Sequence, residues 1–74
     1  MKFLDIGDGN LISTDKIVTI VRQDSSPIKR VIQEAKDRGT LVDATQGKKT
    51  QSVIITDCGY IVLSNLTPTE LLNK

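Results

Sequence analysis

Two adjacent lysines, Lys48 and Lys49, are the residues of this 74-residue chain whose type and spacing best suit the binding of a charged partner. They follow Gly47 in a short loop between two apolar runs, residues 41–45 and 52–56. Two such runs around a glycine-containing loop are typical of a β-hairpin, which would expose both lysines at its tip. Paired positive charges on a stiff projection suit a nucleic-acid backbone, whereas the alternative is that they only keep the protein soluble.

Groups that enzymes use for catalysis are scarce in the sequence. It contains no histidine and one cysteine, Cys58, so acid–base catalysis, an activated nucleophile and a metal cluster lack their usual residues. Asp43 interrupts an apolar run, and we expect it to be half-buried and to accept a hydrogen bond from a turn amide or to pair with a basic side chain. A catalytic or metal role for Asp43 is the weaker alternative. The sequence thus predicts a protein that is not an enzyme and that binds no metal, cofactor or small-molecule substrate.

The overall charge is nearly balanced. Ten Lys and Arg residues against nine Asp and Glu residues give a net charge of +1, so binding of a nucleic acid requires that the basic side chains be segregated. Phe3 and Tyr60 are too few aromatic residues for the stacking platform that single strands need, which favours a duplex. No apolar run approaches the ~20 residues that span a bilayer. The single thiol and the charged N-terminal sequence predict a cytoplasmic protein with no membrane partner.

A helix is predicted over residues 27–38. Ser26 is its expected N-cap, Pro27 fits its first position and Gly39 its C-terminal stop. Apolar residues at i, i+3, i+4 and i+7 form a stripe that should pack on a sheet, namely Ile28, Val31, Ile32 and Ala35.

The two polar flanks of this helix differ in charge. On one flank the i, i+4 spacing predicts ion pairs that link Arg30, Glu34 and Arg38. The other flank is a candidate positive strip without an acid among its members, which are Lys29, Gln33 and Lys36. The alternative for this strip is an ordinary solvated helix edge.

Strands are predicted on both sides of the helix, at residues 3–6, 11–13, 16–22, 52–57 and 60–64. Glycine-containing turns should join the first two strands and the last two. A threonine, a proline and an acid at the spacing of a helix start predict a short second helix from residue 67, to which Leu71 and Leu72 contribute apolar side chains.

These elements predict one α+β domain over residues 1–74, a mostly antiparallel sheet with one main helix packed on it and a short C-terminal helix. Alternation places apolar residues on both faces of the later strands, which is more apolar surface than one helix covers. The surplus predicts self-association, either by packing of the second sheet face on a neighbouring subunit or by pairing of edge strands.

Six short motifs, in this order and at this spacing, resemble the RemA family of bacterial extracellular matrix regulatory proteins. Each motif is unspecific alone, but the set extends from about residue 3 to residue 66. The motifs are Gly7-x-Gly9-Asn10, Ser26-Pro-Ile-Lys-Arg30, Ala35-Lys-Asp-Arg-Gly39, Leu41-Val-Asp-Ala-Thr45, Gly47-Lys-Lys-Thr50 and Ile61-Val-Leu-Ser64.

The resemblance implies a small transcriptional regulator that binds double-stranded DNA. It also implies a ring of identical subunits around which promoter DNA bends, with biofilm-matrix genes as targets and a location in the nucleoid. The double-arginine motif of the family falls on Lys48 and Lys49, and the family's arginine ahead of the central strand falls on Lys16. With Lys29 and Arg30 of the predicted helix, these are the candidate DNA-binding residues.

The chain also departs from the family pattern. Pro27 matches a family proline at a loop-to-helix corner and would position a subunit contact, but lysine replaces arginine at all three matched basic sites. Lysine keeps the charge and loses bidentate geometry, so contacts with phosphates are implied rather than reading of guanine edges. Asp8 stands where we expect an apolar or aromatic residue, and residues 57–60 lack the family's polar, histidine-containing turn. An oligomeric structural or protein-interaction module that binds no DNA is the alternative.

Overall fold

In the computed structural model, which describes residues 2–73, six strands and two α-helices surround two apolar clusters. The predicted α+β class is confirmed. A two-stranded ribbon of β1 and β2 packs beside a four-stranded sheet of order β3-β5-β6-β4. The elements are β1 (Phe3–Gly7), β2 (Asn10–Ser13), β3 (Ile17–Arg22), α1 (Ser26–Arg38), β4 (Leu41–Asp43), β5 (Ser52–Thr56), β6 (Ile61–Ser64) and α2 (Pro68–Leu72).

The predicted hairpin between β4 and β5 is wrong. β4 pairs with β6 in parallel, with Leu41 opposite Ile61, and β5 pairs with β6 on its other side, antiparallel. All four residues of β6 are buried, so β6 takes a central position, whereas β4 is short and half exposed and forms an edge. The loop of residues 44–51 therefore passes over the end of β6 and is not a hairpin tip.

The main helix lies on one face of the sheet, as predicted. Its apolar stripe packs on β5 and β6, where Ala35 is buried against Val53 and Leu63. Gly39 ends the helix with φ 75°, a conformation that glycine adopts without steric cost. The predicted start is wrong by one residue, because Ser25 is the N-cap and Pro27 is the second helical residue.

The second face of the sheet is covered by the same chain, which corrects the predicted apolar surplus. Ile6 of the ribbon and Leu71 of α2 pack on Ile54 and Val62 in a second buried cluster. The predicted capping box at the start of α2 is present, but Leu72 points away from the cluster and is 84% exposed. Packing of a bare second sheet face on a neighbouring subunit is therefore no longer supported.

A β-bulge changes the faces of β3. Ile17 pairs with Thr56 and Thr19 pairs with the adjacent Ile55, so Val18 is an extra residue and is 64% exposed. Beyond the bulge, Ile20 shares the Ile17 side of the sheet, where strict alternation predicts the opposite side. The strand also begins later than predicted, because residues 14–16 form a turn of 3₁₀ helix.

Candidate nucleic-acid interface

The loop of residues 44–51 is held by its own backbone. The Lys48 amide donates a hydrogen bond to the Thr45 carbonyl at 3.0 Å, and the Gln51 amide donates to the Ser64 carbonyl of β6 at 2.8 Å. Gly47, with a positive φ of 80°, lies within the turn that the first of these bonds closes. Both lysines are exposed, as predicted, but on a loop that is fixed to the end of β6 rather than on a projecting hairpin.

Asp43 starts this loop. One of its carboxylate oxygens accepts hydrogen bonds from the Thr45 amide at 2.9 Å and from the Thr45 hydroxyl at 2.6 Å. These bonds, first that of the hydroxyl and then that of the amide, lower the pKa of Asp43. The predicted acceptor role is confirmed, whereas the predicted half-burial is wrong, since Asp43 lies at the exposed edge.

Lys48 forms an ion pair with Asp8, in the turn between β1 and β2. Its ammonium nitrogen lies 3.0 Å from one Asp8 carboxylate oxygen, and the other oxygen accepts a hydrogen bond from the Asn65 side chain at 3.1 Å. The Lys48 side chain remains 61% exposed, so it faces solvent with part of its charge compensated. Sequence reasoning noticed Asp8 as a departure from the family pattern but did not predict this contact.

The turn of residues 7–10, between β1 and β2, packs beside the loop of residues 44–51. Gly7 has φ 113°, and a Cβ added there would lie 2.2 Å from the Asn65 side-chain oxygen. The Asn10 side chain donates a hydrogen bond to the Ala44 carbonyl at 3.4 Å. The positive φ favours glycine at residue 7, and the absence of a side chain there leaves room for Asn65.

One end of the four-stranded sheet collects most of the predicted contacts. We call this end the basic end. It contains the last residues of β3 and β6, the first residues of β5, the loop of residues 44–51 and the start of α1. The exposed cations of the basic end are Arg22, Lys29, Arg30, Lys48 and Lys49.

Arg22 is the basic-end cation that sequence reasoning placed only on a strand. It is the last residue of β3, it forms a 3.4 Å ion pair with Asp24, and it lines the same cleft as Lys49. Within residues 2–73, Lys49 itself has no carboxylate within 4.0 Å. Strict alternation grouped Arg22 with Lys16, Val18 and Ile20 on one face of the predicted strand, but only the tertiary fold shows that it lines a cleft with Lys49.

The predicted charge pattern of α1 is partly wrong. In the described part of the chain no ion pair joins Arg30, Glu34 and Arg38. The candidate positive strip also contains an acid, because Gln33 donates a hydrogen bond to Asp37 at 3.0 Å. The cations at the start of the helix, beside the exposed Pro27, thus remain candidates, while the C-terminal half of the strip is mixed in charge.

Lys16 lies apart from the other predicted contacts. It precedes β3 at the opposite end of the sheet, which we call the far end, where its carbonyl accepts a hydrogen bond from the Asp57 amide at 2.9 Å. Six strand residues separate the two ends by about 20 Å. A single copy therefore does not bring Lys16 together with Lys48 and Lys49.

Residues 2–73 contain neither a membrane-spanning helix nor a cluster of metal ligands. No helix in this part is long and apolar enough to cross a bilayer. No three His, Cys, Asp or Glu side chains in it are grouped as metal ligands would be.

Comparison with known proteins covers the entire chain. A family model described as RemA-like, extracellular matrix regulatory protein A-like, matches residues 3–74. A Geobacillus thermodenitrificans protein that is provisionally named a regulatory protein is 51% identical over 100% of this chain and 85% of its own length. Proteins with similar provisional names from Thermoanaerobacter sp. and Clostridium botulinum are 51% and 47% identical over 100% of this chain and 77% and 83% of their lengths. The matched region includes the whole basic end.

Proposed function

The chain belongs to the RemA-like family, and its relatives carry names of regulatory proteins. We propose that it is a homo-oligomeric transcriptional regulator that binds double-stranded DNA. The observation that carries the proposal is the gathering of five exposed cations at the basic end, where Asp24 and Asp8 compensate part of the charge of Arg22 and Lys48 while Lys29, Arg30 and Lys49 have no ion pair within residues 2–73. Segregated charge of this kind is what a nearly neutral protein needs in order to bind a polyanion.

The basic end suits phosphates better than base edges. Lys48 and Lys49 carry compact ammonium charges, which attract phosphates without the bidentate fork that reads guanine. The loop that holds them is fixed at both sides by backbone hydrogen bonds, so little ordering is needed on binding. Sequence preference then comes from the shape and flexibility of DNA that bends across the protein.

Self-association brings enough cations to one duplex. β3 and β4 are the two edge strands of the four-stranded sheet, and each exposes a valine, Val18 at 64% and Val42 at 44%. Leu11, 63% exposed, lies beside Val42 around a hollow of about 230 Å³. Contact between the β3 edge of one copy and the β4 edge of the next uses two different surfaces, and such head-to-tail contacts close into rings when the rotation fits.

Repetition also gives Lys16 a role in this proposal. Since Lys16 lies about 20 Å from the basic end of its own copy, a neighbouring copy can place it beside a second basic end. Pro27, exposed at the start of α1, then lies where subunits adjoin. Control of biofilm-matrix genes and association with the nucleoid in the cytoplasm complete the proposed role.

Gel-shift titration with a promoter duplex at several salt concentrations tests the proposal. The matched variants are Lys48→Ala/Lys49→Ala and, at the other end of α1, Lys36→Ala/Arg38→Ala, which remove the same charge. We expect the loop variant to bind at least about tenfold more weakly and the helix variant to bind within about twofold of the wild type. Equal binding by wild type and loop variant contradicts the proposal, and an oligomer without salt-sensitive DNA binding indicates the protein-interaction module instead.

A further inference from the structure

A polar cleft of about 520 Å³ lies at the basic end beside the proposed DNA contacts. Three segments form it: the end of β3 with the residues that follow, the loop of residues 44–51, and the start of α2. Its volume lies within the roughly 300–1,000 Å³ typical of small-molecule sites. A phosphate group fills about as much space as two or three water molecules, on the order of 60–90 Å³, so one backbone phosphate leaves most of the cleft empty.

The lining combines two cations with several neutral polar groups. Arg22 presents a planar guanidinium that can bind a phosphate through two parallel hydrogen bonds, and Lys49, which lines the same cleft, adds a second positive charge. The Thr67 hydroxyl accepts a hydrogen bond from the Glu70 amide, so its own proton is free to be donated into the cleft. These groups match the charge and the donor requirement of a phosphate.

The remaining lining suits hydroxyl groups. Asp24 is an acceptor that is already 3.4 Å from Arg22, and the side chains of Gln23 and Gln51 supply both donors and acceptors. A bare phosphate leaves these groups unused, and the carboxylate of Asp24 repels it. A phosphate attached to a hydroxyl-rich group satisfies both halves of the cleft.

We propose that this cleft binds a small phosphorylated metabolite of the sugar-phosphate class and that its occupation weakens DNA binding. The second part rests on the proposed function, because Lys49 belongs both to the cleft and to the DNA-binding loop. A ligand phosphate on Lys49 neutralises that side chain and adds negative charge to the basic end, so DNA and ligand oppose each other's binding by the same factor.

Calorimetric titration of the full chain with ribose 5-phosphate and with inorganic phosphate tests the cleft directly. We expect one ribose 5-phosphate per protomer with a Kd at or below about 1 mM, and about tenfold weaker binding of inorganic phosphate. Arg22→Gln should weaken both ligands about tenfold. Asp24→Asn should narrow the preference for the sugar phosphate, and Arg38→Gln at the far end should change neither affinity.

A variant of Lys48 distinguishes ligand binding from DNA binding, because Lys48 is next to Lys49 in the proposed DNA-binding loop but does not line the cleft. Lys48→Gln should weaken DNA binding and leave ribose 5-phosphate binding unchanged. If ribose 5-phosphate does not bind saturably, or binds equally well to Arg22→Gln, the inferred site is wrong while the proposed function stands. If it binds as expected but no duplex does, the site stands and the proposed function is wrong. Failure of bound ribose 5-phosphate to weaken DNA binding overturns the antagonism.

Discussion

Asp8 compensates part of the positive charge of Lys48. Its carboxylate lies 3.0 Å from the ammonium nitrogen and is oriented by the Asn65 side chain. Ion pairs between exposed groups contribute little to stability, so the main consequence of this pair is electrostatic. It reduces the attraction of Lys48 for a phosphate, which makes Asp8 a negative determinant of the proposed DNA binding.

Asp8→Asn should bind a promoter duplex more tightly than the wild type. Asparagine tolerates the positive φ of 53° at this residue as well as aspartate does, and it removes the charge that faces Lys48. We expect a gain of roughly two- to fivefold at low salt, measured by gel shift. Asp37→Asn makes the same change in net charge on α1, and an equal gain in that variant would show that only net charge matters.

The hydrogen bonds of Asp43 should make its contribution to stability depend on pH. They lower its folded-state pKa below the ordinary 3.8, so they stabilise the fold at pH 7. This contribution is lost as the pH falls from 3.8 through the lower folded-state pKa. Urea unfolding should therefore show Asp43→Asn to be less stable than the wild type at pH 7, with the two converging in acid. Asp15→Asn, at an exposed residue of the far end, removes the same charge and should change the stability at pH 7 less than Asp43→Asn does.

The β1–β2 ribbon is the element that determines where the basic loop sits. Its turn presents Gly7 to Asn65, Asp8 to Lys48, and the Asn10 side chain to the Ala44 carbonyl. The ribbon also supplies Ile6 to the cluster under the sheet. Folding of the ribbon and position of the loop are therefore coupled.

Gly7→Ala should destabilise the protein by more than Gly9→Ala. Both glycines have positive φ, 113° and 81°, but an added Cβ meets the Asn65 oxygen at residue 7 and nothing within 4 Å at residue 9. Residue 7 also lies further from the left-handed region that alanine tolerates, so the difference combines greater backbone strain with the contact with Asn65, and we expect it to be about 1–3 kcal/mol. Thermal or urea unfolding measures it, and equal losses would mean that the contact with Asn65 is easily relieved.

The two edge strands of the main sheet should carry the subunit contact. Val18→Asp and Val42→Asp each place a charge on one edge at a residue that is itself exposed. We expect either variant to shift the oligomer toward monomer in analytical ultracentrifugation while the monomer stays folded by circular dichroism. Leu72→Asp, at an 84% exposed residue outside the edges, is the control, and loss of assembly in that variant alone would move the interface to α2.

Sequence reasoning predicted the elements whose signals are local. The apolar stripe of α1, the capping box of α2 and the β-branched strands depend on neighbouring residues, and these elements are present, with the N-cap of α1 one residue earlier than predicted. Sequence reasoning failed where strands from distant parts of the chain compete for the same position in the sheet. Insertion of β6 between β4 and β5 depends on which strand gains most from burial on both faces, and no feature of residues 41–56 reveals that competitor.

The candidate site was predictable to the same degree. Exposure of Lys48 and Lys49 follows from a glycine-containing polar loop. The pairing with Asp8 joins residues 40 positions apart, and the meeting of Arg22 with Lys49 depends on the turn after β3. Both require the tertiary fold, so neither is encoded in a local pattern.

The small net charge of the chain makes the proposed DNA binding depend on the proposed assembly. Five cations at the basic end of one copy limit the slope of log affinity against log salt to about −4.5, since each phosphate contact contributes about 0.9. Several copies in register exceed that limit, because their contacts add along one duplex.

The slope of log affinity against log salt should therefore be steeper than about −4.5 for the wild type. It should become shallower than about −4.5 when the assembly is broken. Gel shifts between low and physiological salt measure the slope for the wild type and for monomeric Val18→Asp. The monomer keeps every basic-end cation, so its loss of slope isolates the effect of repetition. Lys36→Ala/Arg38→Ala should keep both the assembly and the slope. An unchanged slope in the monomer would mean that one copy holds the complete DNA site, and the proposed repetition would be wrong.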